Sequence, residues 1–225
     1  MNIVAVIPAK GTSERLENKN LLEINSKSLV YWACKKCLDS KLITHVYLDT
    51  ESNEIKDSVS ELFERGLKTI DRPKKLADNN TSGNDLVRFE LDNIEPCDLF
   101  LHTYSTSPLI TSSTIDDVIL KFLDNKNHDS FFSAIKYQNY LWVEDKHNNC
   151  FDNVNFNHRE LPNSNDLDRF WEETHGLYGV YYEVAKKYGS RLGLNPTPIQ
   201  INTKESLDIN YKEDYLYAKI LWTDR

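Results

Sequence analysis

The sequence predicts an α/β fold in which a mainly parallel sheet is covered by helices on both faces. Short apolar runs alternate with segments whose apolar residues repeat at helical spacing, which implies strands joined by helical crossovers. At 225 residues, with 40% hydrophobic and 11% aromatic side chains, the chain can bury a full core as one large domain. No internal repeat, low-complexity tract or Pro/Gly/Ser linker divides it, so residues 1–225 read as a single domain.

The elements follow in order. An apolar strand at 3–7 ends at Pro8, with no basic segment before it, and reads as a strand rather than a signal peptide. A polar loop at 8–20 precedes a helix around 28–40. A strand at 45–48 leads to an amphipathic helix around 53–65, with Ile55, Val59, Leu62 and Phe63 on one side. A short strand at 67–70 meets the turn-like Asp71-Arg72-Pro73. A helix around 84–94, a strand at 99–102 and a helix near 114–124 complete the regular part. Residues 137–175, rich in Asn, Asp, His and aromatics, show no helical stripe and read as an inserted arm. A strand at 176–182 and a helix at 211–222 close the chain. Ligands of such sheets bind outside the carboxyl ends of the strands, so each polar loop after a strand is a candidate site.

Composition excludes several classes. With 35 acidic and 27 basic side chains the net charge is −8, and the isoelectric point is near 5.3. That balance argues against nucleic acid as the main partner, though a nucleotide needs only a few local cations. A mean hydropathy of −0.58 without a long apolar run excludes a transmembrane helix, so no membrane partner is expected. Cys34, Cys37, Cys97 and Cys150 read as reduced thiols of a cytoplasmic protein. Cys34 and Cys37 form a C-x-x-C, but on a helix with apolar spacing they read as small core residues.

The most informative stretch is Ile7-Pro8-Ala9-Lys10-Gly11-Thr12-Ser13-Glu14-Arg15-Leu16-Glu17-Asn18-Lys19-Asn20, directly after the first strand. Its cations Lys10, Arg15 and Lys19, its glycine and its hydroxyls suit a triphosphate, which needs positive charge and close backbone N–H groups. An ordinary solvated loop has the same composition. The spacing is neither that of a Walker A loop nor G-x-G-x-x-G.

This stretch resembles the nucleotide-binding signature I-P-A-R-x-x-S-K-x-x-x-x-K-N of the CMP-sugar synthetases, the acylneuraminate cytidylyltransferase family. Further blocks resemble the family in order. Asp49-Thr50-Glu51 is similar to S-T-D, and Arg72-Pro73 with Leu76-Ala77-Asp78 and Thr81-Ser82 to R-P-x-x-L-A-x-D-x-x-S. Ser105-Thr106-Ser107-Pro108-Leu109 is similar to P-T-S-P-L, Gly176-Leu177-Tyr178 to G-A-I-Y, and Ser206-Leu207-Asp208-Ile209-Asn210 to S-I-D-I-D.

The resemblance implies a Rossmann-like nucleotidyltransferase fold, an inserted dimerisation arm, a homodimer and a Mg²⁺ cofactor. The implied reaction is attack of an acceptor oxygen on the α-phosphate of CTP, releasing pyrophosphate, with an acidic, nonulosonate-like sugar as acceptor and surface polysaccharide as destination. Carried over by position, Lys10, Gly11, Ser13, Arg15, Lys19, Asn20, Arg72 and Ser82 would bind CTP, with Arg72 and Ser82 at the cytidine. Lys19, Arg15 and Asp208 would be catalytic. Tyr104, Ser105, Thr106, His175 and Tyr178 would face the small-molecule acceptor, and Asp208 and Asn210 the metal. Read without the family, His102 and His175 are ordinary structural histidines, the tyrosines and Trp171 are core, and Asp168, Glu172 and Glu173 are a solvated charge run.

Departures from the family pattern bear on function. Asn210 replaces the second Asp of the metal pair, and Lys10 replaces an Arg. Asp208 and Asn210 would point to one side if they lay on a strand. Asn163 and Ile110 stand where the family tends to place Arg, so the acceptor is expected to differ from sialic acid; Arg159 or Arg169 could compensate. Two alternatives follow: a transferase giving a CDP conjugate of a non-sialic or phosphorylated acceptor, or a nucleotide-binding homologue with impaired catalysis.

Overall fold

The computed structural model describes residues 1–78 and 80–223. The strands are β1 (Ile3–Pro8), β2 (Glu23–Ile24), β3 (Lys27–Ser28), β4 (His45–Thr50), β5 (Leu67–Asp71), β6 (Leu99–Thr103), β7 (Ser130–Tyr137), β8 (Trp142–Asp145), β9 (Cys150–Asn153), β10 (Phe170–Tyr181) and β11 (Pro196–Gln200). The helices are α1 (Leu29–Leu38), α2 (Asn53–Ser58), α3 (Gly83–Asp92), α4 (Ser112–Asp124), α5 (Tyr182–Tyr188) and α6 (Lys212–Thr223). Hydroxyl side chains start four of them: Ser28, Ser52, Ser82 and Thr111 each accept a first-turn N–H of α1 to α4.

The described residues form a seven-stranded sheet in the order β11-β7-β10-β6-β1-β4-β5. β1 pairs in parallel with β4 and β6, β4 with β5, and β7 with β11. Within this sheet, among the described residues, only β10 runs antiparallel, between β6 and β7. The expected mainly parallel sheet is present.

β1 shows why helices cover both faces. Successive side chains of a strand point to opposite faces. Ile3, Ala5 and Ile7 join one buried cluster with Val30, Ala33, Cys34 and Cys37 of α1 and Ile115, Val118, Ile119 and Phe122 of α4. Val4 and Val6 join another with Val87 and Leu91 of α3 and Ala185 of α5. Cys34 and Cys37 are wholly buried, and burial pushes the Cys37 thiol up to about 12 and raises Cys34 as well. Both are protonated packing groups, as their helical spacing indicated.

Several elements differ from the sequence reading. The helix around 53–65 is α2 followed by a separate 3-10 segment at Ser60–Arg65. The Ser58 hydroxyl donates to the Ile55 carbonyl at its end, the back-bonding that loosens a helix. The unread β11 carries Pro196 and Pro198, which read as a loop but are tolerated on a sheet edge. β7 and α5 were also not anticipated. β10 starts at Phe170, so residues 170–175, read as arm, already belong to it, and 170–173 pair with β7 before the register shifts. Asp208 and Asn210 lie on an extended segment outside any strand. What projects is the β8–β9 hairpin and its flanks, where Trp142, Val143, Phe151, Val154 and Leu161 are exposed.

The topology places the site. From β1 the chain goes to β4 on one side and later to β6 on the other. In open α/β sheets such a switch point leaves a crevice beyond the carboxyl ends of the two adjacent strands. Here these are β1 and β6.

Gly179 sits mid-β10, facing Leu101 and Phe131 in register. A Cβ there would overlap the Phe131 ring and a Leu101 methyl. Gly179→Ala should lower unfolding free energy by about 1–3 kcal/mol through overpacking, read from denaturant midpoints; an unchanged midpoint would contradict this packing.

Candidate functional site

A cleft of about 310 Å³ opens at the switch point, bordered by Pro8, Lys10, Thr12, Ser13, Glu14, Arg15, Lys19 and Asn20 after β1 and by Tyr104, Ser105 and Thr106 after β6. Arg72 and Leu86 close its side. A second cavity of about 220 Å³ shares Arg15, Lys19, Tyr104 and Thr106 with it, and adds His175, Arg191, Asp208 and Asn210. A third, of about 340 Å³, continues past His175, Asp208 and Asn210 to Tyr137 and Glu172 at the root of the arm.

Asn20 and Lys19 hold the walls together. Asn20 Nδ2 donates to the Lys10 carbonyl at 2.7 Å, while its Oδ1 accepts from Ser105 Oγ at 2.5 Å. Lys19 Nζ donates to the Ile209 carbonyl at 2.9 Å, and the Ile209 N–H donates to the Thr106 carbonyl at 2.8 Å. Burial lowers the Lys19 pKa, helped by Arg15 and Lys10 and opposed by Asp208. Arg15 extends over the Tyr211 ring, 5.9 Å from its centroid. Asn210 Nδ2 donates to Asp208 Oδ2 at 2.7 Å, so the two side chains do meet although the backbone is not a strand.

Behind the cleft lies a line of buried polar groups. Arg72 Nε is 3.1 Å from both Asp49 carboxylate oxygens, and its Nη2 donates to Asp49 Oδ2 at 2.6 Å and to the Asp49 carbonyl at 3.0 Å. Arg72 thus borders the cleft with a guanidinium already held by Asp49. His102 Nε2 lies 3.2 Å from Glu90 Oε1, and its Nδ1 lies 3.0 Å from the Tyr104 hydroxyl. Arg191 Nη1 donates to that hydroxyl at 2.6 Å. An arginine can only donate, so the Tyr104 hydroxyl accepts from Arg191, and the two ring nitrogens of His102 join Tyr104 to Glu90. Burial, followed by the charge of Arg191, pushes His102 down to about 3, which keeps it neutral. Burial pushes Tyr104 up to about 12.

Not every anticipated residue reaches the cleft. Gly11 turns its N–H to Glu51 Oε1 at 2.7 Å and does not border the cavity. Ser82 caps α3, accepting from Asp85 N and donating to Asp85 Oδ2 at 2.7 Å, on an exposed surface. Tyr178 is buried, but its hydroxyl reaches Glu173 and lies 3.1 Å from His175 Nδ1. Ile110 is a core residue packed beneath Gly176, so at this position the missing arginine is a packing change. Asn163, Arg159 and Arg169 are on or beside the arm and border neither of the two connected cavities. Glu173 is no solvated charge; it contacts Tyr178 and lies 3.5 Å from Arg191 Nη2. Sequence reasoning passed over Arg191 altogether. Its signal was faint: a cation between Gly189 and Gly193 in the loop leading into β11.

A family model described as "Cytidylyltransferase" matches residues 4–193, nearly the whole span that carries these walls. The chain belongs to the cytidylyltransferase family. It is 23% identical over 220 residues to N-acylneuraminate cytidylyltransferase A of Danio rerio, covering 97% of this chain and 50% of that one. It is 33% identical over 125 residues to a 3-deoxy-manno-octulosonate cytidylyltransferase of Chloroherpeton thalassium, covering 56% and 48%. A pseudaminic acid cytidylyltransferase of Campylobacter jejuni is 24% identical over 143 residues, covering 61% and 60%. This chain spans about half the length of the first two. Among solved structures, a CMP:2-keto-3-deoxy-manno-octonic acid synthetase complexed with CTP superposes with a TM-score of 0.71 at 15% identity, covering 100% and 99%. A 4-diphosphocytidyl-2C-methyl-D-erythritol synthase from Anaerococcus prevotii also gives 0.71, at 13% identity and the same coverage. The resemblance seen in the sequence is borne out, and the fold is the Rossmann-like one of nucleotidyltransferases.

The buried carboxyls give the chain a pH signature. Burial pushes Asp49 up to about 7 and Glu90 up to about 8, against the pull of Arg72. In the unfolded chain both ionise near pH 4. The folded protein therefore binds more protons between pH 5 and 8, and stability through these groups falls as pH rises across that window. Glu90→Gln keeps the hydrogen-bonding shape without the ionisation. Its stability relative to the unsubstituted protein should rise from pH 5 to pH 8 in denaturant titrations; parallel profiles would contradict this.

Proposed function

We propose that this protein transfers CMP from CTP to an anionic small-molecule acceptor, a nonulosonate-like sugar acid, with release of pyrophosphate. The observation that carries the reading is the pair of connected cavities at the switch point, which share Arg15 and Lys19. A triphosphate in the first cavity places its reacting end toward those two cations, and an acceptor in the second approaches from the other side. Its hydroxyl oxygen bonds to the α-phosphorus, the bond to the β-phosphate oxygen breaks, and the hydroxyl proton passes to solvent. Lys10, Arg15 and Lys19 offset the phosphate charge, and Asn20 fixes the loop that carries them. Family membership supports the use of CTP.

Asp208 and Asn210 would hold Mg²⁺. A carboxylate beside an amide oxygen is a hard donor set, and Mg²⁺ commonly takes one or two carboxylates with water and substrate phosphate, so the residues fit. When bound, the ion supplies positive charge to the phosphates. The single carboxylate also favours the second reading, a nucleotide-binding homologue with impaired catalysis. We further place the exposed apolar side chains of the arm, Trp142, Val143 and Phe151 among them, at a homodimer interface. The cytoplasm, where CTP is available, is the fitting compartment. Among the described residues no helix is long and apolar enough to cross a membrane.

Binding is tested by thermal unfolding. CTP with Mg²⁺ at 100 times its dissociation constant should add about 2.7 kcal/mol of stability and exceed ATP and GTP; equal shifts from all three would remove the cytidine assignment. Arg15→Ala and Lys19→Ala should each cost about 1.5–3 kcal/mol of CTP binding or turnover, and values within twofold of the unsubstituted protein would exclude the phosphate role.

Pyrophosphate release against a panel of sugar acids tests catalysis. Asp208→Ala should nearly abolish it, whereas Asn210→Asp should change only its Mg²⁺ dependence. Release by Asn210→Asp alone would favour the impaired homologue, and full activity of Asp208→Ala would move the metal site elsewhere.

A further inference from the structure

The second cavity is built for an anion beyond the nucleotide. Arg15, Lys19 and Arg191 border it, against the single carboxylate of Asp208. Arg15 and Lys19 also border the first cavity, whereas Arg191 does not, so a triphosphate there leaves Arg191 for another ligand. Resting on the transferase reading, we infer that Arg191 anchors the carboxylate of a 2-keto sugar acid acceptor, one whose carboxylate sits on the carbon bearing the attacking hydroxyl.

The guanidinium is held for this task. Its centre stacks 3.9 Å from the centroid of the Tyr178 ring, and Nη1 donates to Tyr104. The guanidinium offers no acceptor, so the Tyr104 hydroxyl can only accept from it. The other end group, Nη2, faces Glu173 Oε1 at 3.5 Å, beyond a good hydrogen bond. The ring contact and the tyrosine hydrogen bond hold the guanidinium, which keeps its fork of N–H donors beside the cavity. Such a fork matches a carboxylate's two oxygens. In a 2-keto sugar acid the carboxylate and the attacking hydroxyl share a carbon, so holding one aims the other toward the α-phosphate. Neither Arg159 nor Arg169 borders this cavity, so Arg191 is the arginine positioned to stand in for the family cation absent at 110 and 163.

The test is equilibrium binding by calorimetry, with CTP first and acceptor second. The acceptor probes are N-acetylneuraminate and 3-deoxy-manno-octulosonate, each beside its methyl ester, titrated into protein held with CTP and Ca²⁺. For the unsubstituted protein, at least one acid should bind about 10- to 150-fold more tightly than its ester, the worth of one charge-assisted contact. In Arg191→Met that preference should fall below about threefold, with CTP binding within twofold; Arg191→Lys should keep part of it. A merely structural arginine would weaken acid and ester alike. An acid–ester preference that is absent from the unsubstituted protein, or survives in Arg191→Met, overturns the inference while CTP binding leaves the transferase reading standing. Failure to bind CTP overturns both. The acid–ester comparison on the unsubstituted protein needs no variant to fold.

Discussion

Residues 10–20, 104–107 and 207–210 come from the start, middle and end of the chain, and a few hydrogen bonds at Lys19 and Asn20 join them. Lys19 reaches the carbonyl of Ile209, whose own N–H returns to Thr106, and Asn20 bridges Lys10 and Ser105. A lysine ammonium loses solvation when buried, which lowers its pKa here. The carbonyl and the nearby Asp208 offset that cost. The same ammonium thereby fixes the loop that follows β1 against the segment offering Asp208. If this joint loosened, the cations and the carboxylate would no longer share one cavity.

The polar line beneath the cleft explains why these loops hold their shape. A buried ion pair such as Asp49–Arg72 adds little net stability over an apolar pair, but removing one partner strands the other and is costly. Arg72 is therefore more a wall than a free reader of the base, since Asp49 already takes Nε and Nη2. On the other side, Glu90, His102 and Tyr104 form a hydrogen-bonded line outward to Arg191. Arg72 and Arg191 are thus each held from behind, by Asp49 and by this line.

The first half of the fold was legible because β1, β4 and β6 are largely apolar runs, and β5 a short alternating one, separated by helical segments. The later strands were hidden for identifiable reasons. β11 is an edge strand that tolerates prolines, and the outer half of β10 exposes Trp171 and Glu172 side by side. In the site, Lys10, Arg15, Lys19, Asn20 and Asp208 were legible because they follow strands or match a family block. Ser82 matched a block too, yet its hydroxyl is spent on a helix cap. Arg191 was not legible, because it reaches the cavity from a return loop, through a long side chain held by Tyr104 and Tyr178. Its role depends on contacts across the fold, for which local spacing carries no signal.

On the proposed reading, one cleft beyond β1 and β6 receives CTP with its triphosphate against residues 10–20. A crystal structure of the protein grown with CTP is the decisive measurement. Triphosphate density should be bordered by Lys10, Arg15 and Lys19, with the α-phosphate toward the cavity containing Asp208 and Arg191. A nucleotide bound elsewhere, for example in the cavity of about 210 Å³ between Trp32, Lys35 and Trp222, would contradict it.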